Sequence, residues 1–222
     1  MTTSSSSDRP AGFGRRAFLM AGAAAFATGP ALLAAAPALA APQIGQPAPA
    51  FTALDSNGQT QSLAAFKGKV VVLEWTNHDC PFVRKHYGAG NMQKLQAEAK
   101  SQGVVWLTIA SSAPGEQGAV DGATANGLTA SRKAVPAAVL LDPDGKIGRA
   151  YGAQVTPHMY VIGKDGTLLY MGGIDSIAST RTDDIEKAQP YLRDAMLAAV
   201  KGEPVKTAVT RPYGCTIKYM GT

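Results

Sequence analysis

Apolar residues in this chain are concentrated in short continuous runs, which polar and glycine-rich stretches separate. The runs VVVLEW (70–75) and VVWLTIA (104–110) are rich in β-branched and aromatic residues, as is typical of strands buried on both faces of a sheet. AVLL (138–141) predicts a third strand, followed by a turn and a single turn of helix. Two further runs, MYVIG and TLLYMG, flank residues 164–166 (KDG), and this arrangement predicts a β-hairpin.

Helical periodicity occupies two longer stretches of the chain. The first extends from residue 82 to about 102, and Gly88 and Gly90 are expected to interrupt it near its start. The second, 183–201, is the clearest amphipathic helix, although Pro190 lies inside it. Because proline lacks the amide that an inner helical position needs, this helix is expected to begin late or to bend there.

The remaining segments are less regular. Two short extended pieces are predicted around the turn at 56–58. The polar, glycine-rich stretch 111–127 is predicted to be a loop, and 128–135 a short helix. The alternation of strands and helices predicts an α/β fold with a central mixed β-sheet and helices on both faces. We assign this domain to residues 41–202 and treat 203–222 as an irregular C-terminal tail.

The first forty residues differ in character from the rest of the chain. Arg15 and Arg16 precede an alanine-rich apolar stretch that ends in ALA (38–40), which is the order of an export signal followed by a cleavage site. The paired arginines resemble the twin-arginine type, whose cargo crosses the membrane already folded. We therefore expect a bacterial protein that acts in the periplasm or outside the cell. A retained membrane-anchoring helix is the alternative.

The charge of the chain argues against a nucleic-acid partner. Residues 41–222 carry 18 Lys and Arg against 15 Asp and Glu, because the first forty residues hold three of the 21 basic and one of the 16 acidic side chains. The basic residues are scattered, which is typical of a solvated surface. No other stretch is apolar for long enough to span a bilayer, so no membrane association is expected once the signal is removed. We predict no cofactor and no bound metal.

Candidate chemistry is concentrated in the stretch WTNHDCPFVRKHY. Its cysteine, Cys80, directly precedes Pro81, and proline is favoured at the first position of a helix. A helix start stabilises an anion, so Cys80 is predicted to be a solvent-accessible thiol that ionises readily. Arg84 and Lys85 add positive charge one turn along, whereas the carboxylate of Asp79 opposes ionisation.

The only other cysteine is Cys215, in the tail. An even number of cysteines in an oxidising compartment is compatible with a disulfide. Such a pair could be redox-active, or it could be a permanent bridge that stabilises the fold by about 4–5 kcal/mol in the chain-entropy model. Spacing alone does not decide, but the redox alternative is favoured because Cys80 lies at a helix start rather than in an apolar strand.

These features resemble the thioredoxin superfamily, and within it the redoxin branch that includes peroxiredoxins and alkyl hydroperoxide reductases (the thiol-specific antioxidant family). The landmarks are a buried strand that leads into the Cys80 loop, the pair Thr156–Pro157 before MYVI, and the hairpin that follows. NHDCPFV and RPYGCTIKY match a peroxiredoxin-like group with N-x-x-C-P-F-V and P-Y-G-C-x-I-K-Y. The resemblance covers about residues 43–200 and implies a thioredoxin-like fold in which a cis Pro157 lies opposite Cys80.

The resemblance also implies an activity, that of an exported thiol oxidoreductase that is either peroxidase-like (antioxidant) or an agent of thiol–disulfide exchange. Cys80 would attack a peroxide or a substrate disulfide, Cys215 would resolve the product, and an unidentified thiol donor would return the electrons. The implied roles of the neighbours are a peroxide ligand for Asn77, a proton acceptor for His158 and secondarily His78, and substrate contacts for Thr156, Pro157, Pro81, Arg84 and His78.

Two departures from the family pattern stand out. A thioredoxin-type Cys-x-x-Cys pair is impossible, because Val83 occupies the position of its second cysteine. The proline and threonine that precede the peroxiredoxin cysteine are replaced by Leu73 and Asn77, so an amide stands in for the hydroxyl that helps to place the peroxide.

Two rival functions remain open. One is a copper-binding or copper-delivery protein, since histidines and cysteines are suitable donors for copper. The copper-delivery members of the superfamily use Cys-x-x-x-Cys, however, and Arg84 stands at the second position here. The other rival is a non-catalytic binding module in which Cys80 and Cys215 form a structural disulfide. The donors available for a metal would be His78, Cys80, His86 and either His158 or Cys215.

Overall fold

The computed structural model describes residues 41–221. The strands are β1 (Thr52–Leu54), β2 (Thr60–Ser62), β3 (Val71–Trp75), β4 (Val105–Ala110), β5 (Ala138–Leu141), β6 (Val155–Thr156), β7 (His158–Ile162), β8 (Leu168–Gly172) and β9 (Cys215–Thr216). The α-helices are α1 (Pro81–Gly88), α2 (Asn91–Ser101), α3 (Gly122–Ser131), α4 (Lys146–Ala150) and α5 (Tyr191–Lys201). Short 3-10 helices occupy Leu63–Phe66 and Thr182–Asp184.

Five strands form the central sheet, in the order β5-β4-β3-β7-β8. Strands β3, β4 and β5 are parallel, whereas β7 pairs antiparallel with both β3 and β8. The β7–β8 hairpin turns at residues 163–167, as predicted. The expectation of a mixed α/β sheet is therefore confirmed.

Side chains that alternate along β3 divide the core into two layers. Val72 packs with residues of α1, α2 and α5 on one face of the sheet. Leu73 and Trp75 pack on the other face, with α4 and the strand-flanking residue Phe51. All five residues of β3 are buried, as expected for a strand covered on both sides. Cys80 belongs to the first layer, so the sheet and α1 together fix its position.

Two predicted helices differ from the observed ones at their ends. The stretch 82–102 is divided into α1 and α2 at Gly90, whose φ of 70° is accessible to glycine at little cost. Helix α3 begins inside the predicted 111–127 loop, because the Asp121 side chain caps it by accepting a hydrogen bond from the Thr124 amide at 2.7 Å. Helix α5 begins at Tyr191, directly after Pro190, so the late start expected from this proline is confirmed.

Most of the C-terminal tail that the structure describes has no regular secondary structure, and its one strand is the two-residue β9, which sequence analysis does not predict. Strand β9 pairs antiparallel with β6, and the Ile217 amide donates to the Gln154 carbonyl at 2.9 Å. Ile217 itself is buried in the second core layer. None of the helices within 41–221 has the length and apolarity that crossing a bilayer requires. The predicted export signal, 1–40, lies outside the described residues.

Candidate active site

Cys80 is the N-cap residue of α1 and so lies at the start of the helix, as predicted. The loop that leaves β3 ends with a hydrogen bond from the Cys80 amide to the Asn77 carbonyl at 3.1 Å. Cys80 is extended (φ −67°, ψ 122°), and Pro81 begins the helix. The Arg84 amide donates to the Cys80 carbonyl at 2.9 Å and so closes the first helical turn. The side chain of Cys80 consequently lies beside the free amides of the helix start.

The two cysteines come together at Thr156. The Thr156–Pro157 peptide bond is cis, and the Thr156 carbonyl accepts a hydrogen bond from Cys80 Sγ at 3.0 Å. Cys215 lies directly opposite Thr156 in the β6–β9 pair. Both cysteines are free thiols. The strand register thus brings the tail cysteine to the sulfur at the start of α1, although the two residues are far apart in sequence.

The pKa values of the two thiols are shifted in opposite directions. Burial raises the pKa of Cys80, but polar contacts from the Cys215 thiol and from the backbone amides of Val83 and Cys215 outweigh it, so the pKa lies below its ordinary value. Burial, together with the contact with Cys80, raises the pKa of Cys215 to about 11. Cys80 is therefore the thiol that ionises first, while Cys215 keeps its proton.

Cys80 is less accessible than predicted. Its side chain has no exposed surface, whereas Cys215 is half-buried. Cys80 packs in the first core layer, and β9 pairs with β6 beside the Thr156 carbonyl that the sulfur contacts. A local conformational change must therefore expose the sulfur before an oxidant can reach it.

Charged residues beside the cysteine neutralise one another instead of acting on the thiol. Arg84 Nη2 lies 2.9 Å from Asp79 Oδ1, and Arg84 Nε donates to the His78 carbonyl at 3.2 Å. His78 Nε2 lies 3.4 Å from the other Asp79 oxygen. Lys85, predicted to add positive charge near the thiol, is buried against Asp175. Asp79, Arg84 and His78 thus form one partly exposed cluster at the edge of the site.

The Asn77 side chain holds the loop between β3 and α1 in place through hydrogen bonds. It is buried, and its Oδ1 accepts a hydrogen bond from the Asp79 amide at 2.9 Å. Its Nδ2 donates to the Gln117 carbonyl at 3.5 Å. The chain at Gly118 passes so close that a Cβ there would overlap the Asn77 amide. These contacts fix the loop that carries Cys80, and a role for Asn77 in binding peroxide stays a prediction.

His158 follows the cis-proline on β7, as predicted, and is buried. Its ring packs 4.6 Å from the Tyr160 ring, and Nδ1 lies 3.2 Å from the Tyr160 hydroxyl. Burial lowers the pKa of His158 to about 4, so at neutral pH the ring is uncharged and is a weak proton acceptor. Within residues 41–221, no hydrogen bond joins a histidine to the Cys80 sulfur.

Sequence reasoning missed a buried polar cluster between α1 and the tail. It consists of Lys85, His86, Asp175 and Tyr213, and we call it the tail cluster. The Lys85 and His86 side chains have no exposed surface, and that of Asp175 is 4% exposed. The only signal in the sequence was the position of Tyr213 in the PYGC motif, because no local pattern indicates that Asp175 faces it.

A second missed residue is Glu74, inside the apolar run that forms β3. It is fully buried and accepts hydrogen bonds from Tyr87 Oη and Trp106 Nε1, both at 2.8 Å, and from Thr108 Oγ1 at 3.1 Å. Burial raises the pKa of Glu74, and these donors oppose that effect. Because Tyr87 lies near the end of α1, Glu74 ties the helix that begins at Cys80 to the central sheet.

No group of three or more His, Cys, Asp or Glu side chains within the described part of the chain is arranged so that it could hold a metal ion. The donors proposed for copper are divided by the fold. His86 belongs to the tail cluster, His158 contacts Tyr160, and His78 faces Asp79.

Comparisons with known proteins agree with this architecture. Two solved structures resemble the chain over 81% of its length: a hypothetical protein from Sinorhizobium meliloti (24% identity, 96% of that chain, TM-score 0.69) and an uncharacterized conserved protein from Geobacillus kaustophilus (21% identity, 94%, TM-score 0.68). A protein from Chlorobium tepidum, provisionally named thiol:disulfide interchange protein DsbE, matches at 24% identity over 72% of this chain and 99% of its own, with a TM-score of 0.55. These likenesses concern the fold.

Sequence comparison supplies the family. A search of curated protein sequences gives no match. The Redoxin family model, in contrast, matches residues 43–188, which is well over half of the chain and includes Cys80 and the cis-proline. The sheet order, the cysteine at the start of α1 and this match lead to one conclusion: the chain belongs to the Redoxin family, with a thioredoxin-like fold.

Proposed function

We propose that this protein is an exported two-cysteine thiol oxidoreductase, in which Cys80 attacks an oxidant and Cys215 resolves the product. The observation that carries the proposal is the meeting of the two thiols at Thr156 with opposite pKa shifts. An attacking thiol must ionise, and a resolving thiol must lie next to it without competing for the same negative charge. The pair meets both requirements.

With a peroxide as oxidant, the chemistry closes in three steps. The Cys80 thiolate attacks the outer oxygen, the O–O bond breaks, and the remaining oxygen leaves as water or alcohol after it takes up a proton. Cys80 is then a sulfenic acid. The Cys215 thiol attacks that sulfur, the S–S bond forms, and the hydroxyl group leaves as water with the Cys215 proton. Two external thiols finally return two electrons and become a disulfide themselves.

Two observations favour a small oxidant over a polypeptide disulfide. Cys80 has no exposed surface, and the backbone of β6, where an extended substrate chain would pair, already pairs with β9. A peroxide needs only a local conformational change, whereas a polypeptide would have to replace the tail as a strand. Exchange with a polypeptide disulfide is the second candidate, favoured by the same thiol pair, and reduction of insulin disulfides would detect it.

The test is oxidation of the reduced protein by hydrogen peroxide, with a sulfenic-acid trap and mass spectrometry. Wild type is expected to form the Cys80–Cys215 disulfide. Cys215→Ser should accumulate trapped sulfenic acid on Cys80, and Cys80→Ser should form neither product. Each cysteine variant is the matched control of the other. If Cys80 stays reduced in wild type and in Cys215→Ser, the proposal fails. Loss of stability in Cys215→Ser without any change in Cys80 oxidation would favour a structural bridge.

Export is the second part of the proposal, and the twin-arginine pattern at residues 15–16 supports it. Expressed in a bacterial host, the protein is expected outside the cytoplasm with Ala41 as its first residue. Changing Arg15 and Arg16 to lysine should retain the precursor inside the cell. Mass spectrometry of the cell fractions measures both. An uncut chain in the membrane fraction would instead indicate a retained anchor.

A further inference from the structure

Tyr213 connects the tail to the helix that begins at Cys80. It lies two residues before Cys215, and its ring packs against Phe82 with the centroids 5.7 Å apart. The Lys85 ammonium lies 6.0 Å from the centroid of the same ring. Phe82 and Lys85 belong to the first two turns of α1. The Tyr213 side chain thus connects the tail to α1, the helix that begins directly after Cys80.

The hydroxyl of Tyr213 is held from two sides. It donates to Asp175 Oδ1 at 2.5 Å and lies 3.2 Å from His86 Nε2. The direction of the second bond follows from the other ring nitrogen: the Asn91 amide nitrogen, which can only donate, lies 2.9 Å from His86 Nδ1. Nε2 therefore carries the ring hydrogen and donates to the Tyr213 oxygen. Hydrogen bonds run from Asn91 through His86 and Tyr213 to Asp175.

Burial makes this chain of hydrogen bonds sensitive to the loss of one member. Burial lowers the pKa of His86 to about 4, against the attraction of Asp175, so the ring is neutral at pH 7 and the chain of donors stays as described. Asp175 Oδ2 accepts no hydrogen bond from any residue that the structure describes, and it lies 3.8 Å from both Lys85 Nζ and His86 Nε2. Asp175 Oδ1 thus depends on the Tyr213 hydroxyl and the nearby Ile177 amide, at 3.1 Å. Removing the hydroxyl would leave buried polar atoms unpaired.

We propose that Tyr213 is a positioning residue for the exchange between Cys80 and Cys215: its hydroxyl, bound by Asp175 and His86, holds the tail so that the Cys215 sulfur stays beside Cys80. This inference rests on the proposed function. It assigns to Tyr213 the role of speeding the second step of the proposed cycle, in which Cys215 attacks oxidised Cys80. Tyr213 touches neither sulfur in the described contacts, so it acts only through the placement of Cys215.

Tyr213→Phe tests the proposal, because it removes only the hydroxyl. Reduced protein is oxidised with hydrogen peroxide, and the Cys80 sulfenic acid and the Cys80–Cys215 disulfide are followed by mass spectrometry. Disulfide formation is expected to slow at least tenfold, and trapped sulfenic acid should accumulate on Cys80. In glutathione buffers the equilibrium constant for closing the disulfide should also fall about tenfold, or about 30 mV in potential. A purely structural tyrosine would lower thermal stability without moving that potential.

Tyr219→Phe is the matched control, since it removes the same group from the same tail on the other side of Cys215. Its hydroxyl donates to the Ala153 carbonyl at 2.7 Å, and its ring packs on Arg149 rather than on α1. Disulfide formation in this variant should stay within about twofold of wild type. Asp175→Asn is the second variant if Tyr213→Phe does not fold, and it is expected to shift the potential in the same direction.

The outcomes separate the two proposals. Disulfide formation in Tyr213→Phe at the wild-type rate, with sulfenic acid still trapped in Cys215→Ser, would overturn the role of Tyr213 and leave the proposed function intact. Equal slowing in Tyr219→Phe would assign the effect to tail packing in general, and would also overturn it. A Cys80 that resists oxidation in every variant would overturn both.

Discussion

At the scale of single residues, polar partners and burial compete to set the protonation of each side chain. Burial alone raises the pKa of a thiol, yet at Cys80 the Cys215 thiol and backbone amides reverse the shift. At His158 burial disfavours the charged ring and lowers its pKa to about 4. Two buried titratable groups of one site thus shift for opposite reasons.

The buried His158 predicts a dependence of stability on pH. The unfolded chain protonates this ring near its ordinary pKa of 6.5, whereas the folded protein protonates it only near 4. Between these pH values the unfolded state binds more protons than the folded state. The contribution of neutral, buried His158 to the free energy of unfolding is therefore fully present above pH 6.5 and is lost as the pH falls towards 4. A depression of this size corresponds to about 3 kcal/mol. Urea unfolding of wild type at pH 7 and pH 4 measures it.

His158→Gln isolates this contribution, because His86 titrates in the same range. The loss of stability between pH 7 and pH 4 should be smaller in the variant by about 3 kcal/mol. An equal loss in both proteins would show that His158 is not the group responsible.

Residues whose role depends on their neighbours in sequence were predictable, and residues whose role depends on distant partners were not. Cys80 at a helix start follows from Pro81 directly after it. Local spacing places the charge of Lys85 near the thiol, whereas its partner, Asp175, lies ninety residues further along the chain. Topology places His158 near the thiol, but its contact with Tyr160 depends on side-chain packing, which the sequence does not reveal.

At the scale of secondary-structure elements, the site depends on the shortest strands of the molecule. Strands β6 and β9 have two residues each, and their pairing sets Cys215 opposite Thr156. No periodicity can be read from two residues, so neither strand is predicted from the sequence. The longer strands β3 and β4, with five and six buried residues, were predicted close to their observed ends.

Gly214→Ala is expected to separate strand β9 of the tail from strand β6. Gly214 has a φ of 140°, and a Cβ there would overlap the Thr156 carbonyl oxygen, so β9 could not keep its place on β6. We expect formation of the Cys80–Cys215 disulfide to slow at least tenfold and unfolding free energy to fall by about 2 kcal/mol. Mass spectrometry after peroxide treatment and urea unfolding measure the two effects.

Gly221→Ala is the control for the glycine change. Gly221 lies in the same tail with a φ of 77°, but a Cβ there would meet no atom within 4 Å. Its effect on disulfide formation should be less than about twofold, since it strains the backbone without displacing β9. Normal disulfide formation in Gly214→Ala would contradict the importance of the β6–β9 pair.

At the scale of the whole molecule, the fold is predictable because the strong patterns in the sequence are local and agree with one another. Continuous apolar runs, a hairpin turn and the position of the cis-proline pair indicated a mixed sheet with helices on both faces, and the five-stranded sheet has that form. The path of the tail was not predictable in this way. It is held by the tail cluster and the β6–β9 pair, both of which join segments distant in sequence.

Oxidation is expected to stabilise the whole molecule. A Cys80–Cys215 disulfide would close a loop that spans most of the described chain, and the chain-entropy model gives about 5 kcal/mol for a loop of that length. Urea unfolding of peroxide-oxidised and reduced protein should differ by up to this amount. Cys215→Ser, which cannot close the loop, should show no such difference. Equal unfolding midpoints for both forms of wild type would mean that strain in the folded state cancels the gain.

The unequal burial of the two sulfurs also sets the direction from which reducing equivalents arrive. Once the bridge has formed, a donor thiolate must strike one of its two sulfur atoms. Cys215 offers surface to solvent and Cys80 offers none, so the collision is expected at Cys215. That attack expels Cys80, whose lowered pKa makes it the better leaving group. The transient mixed disulfide with the electron donor should therefore be found on Cys215.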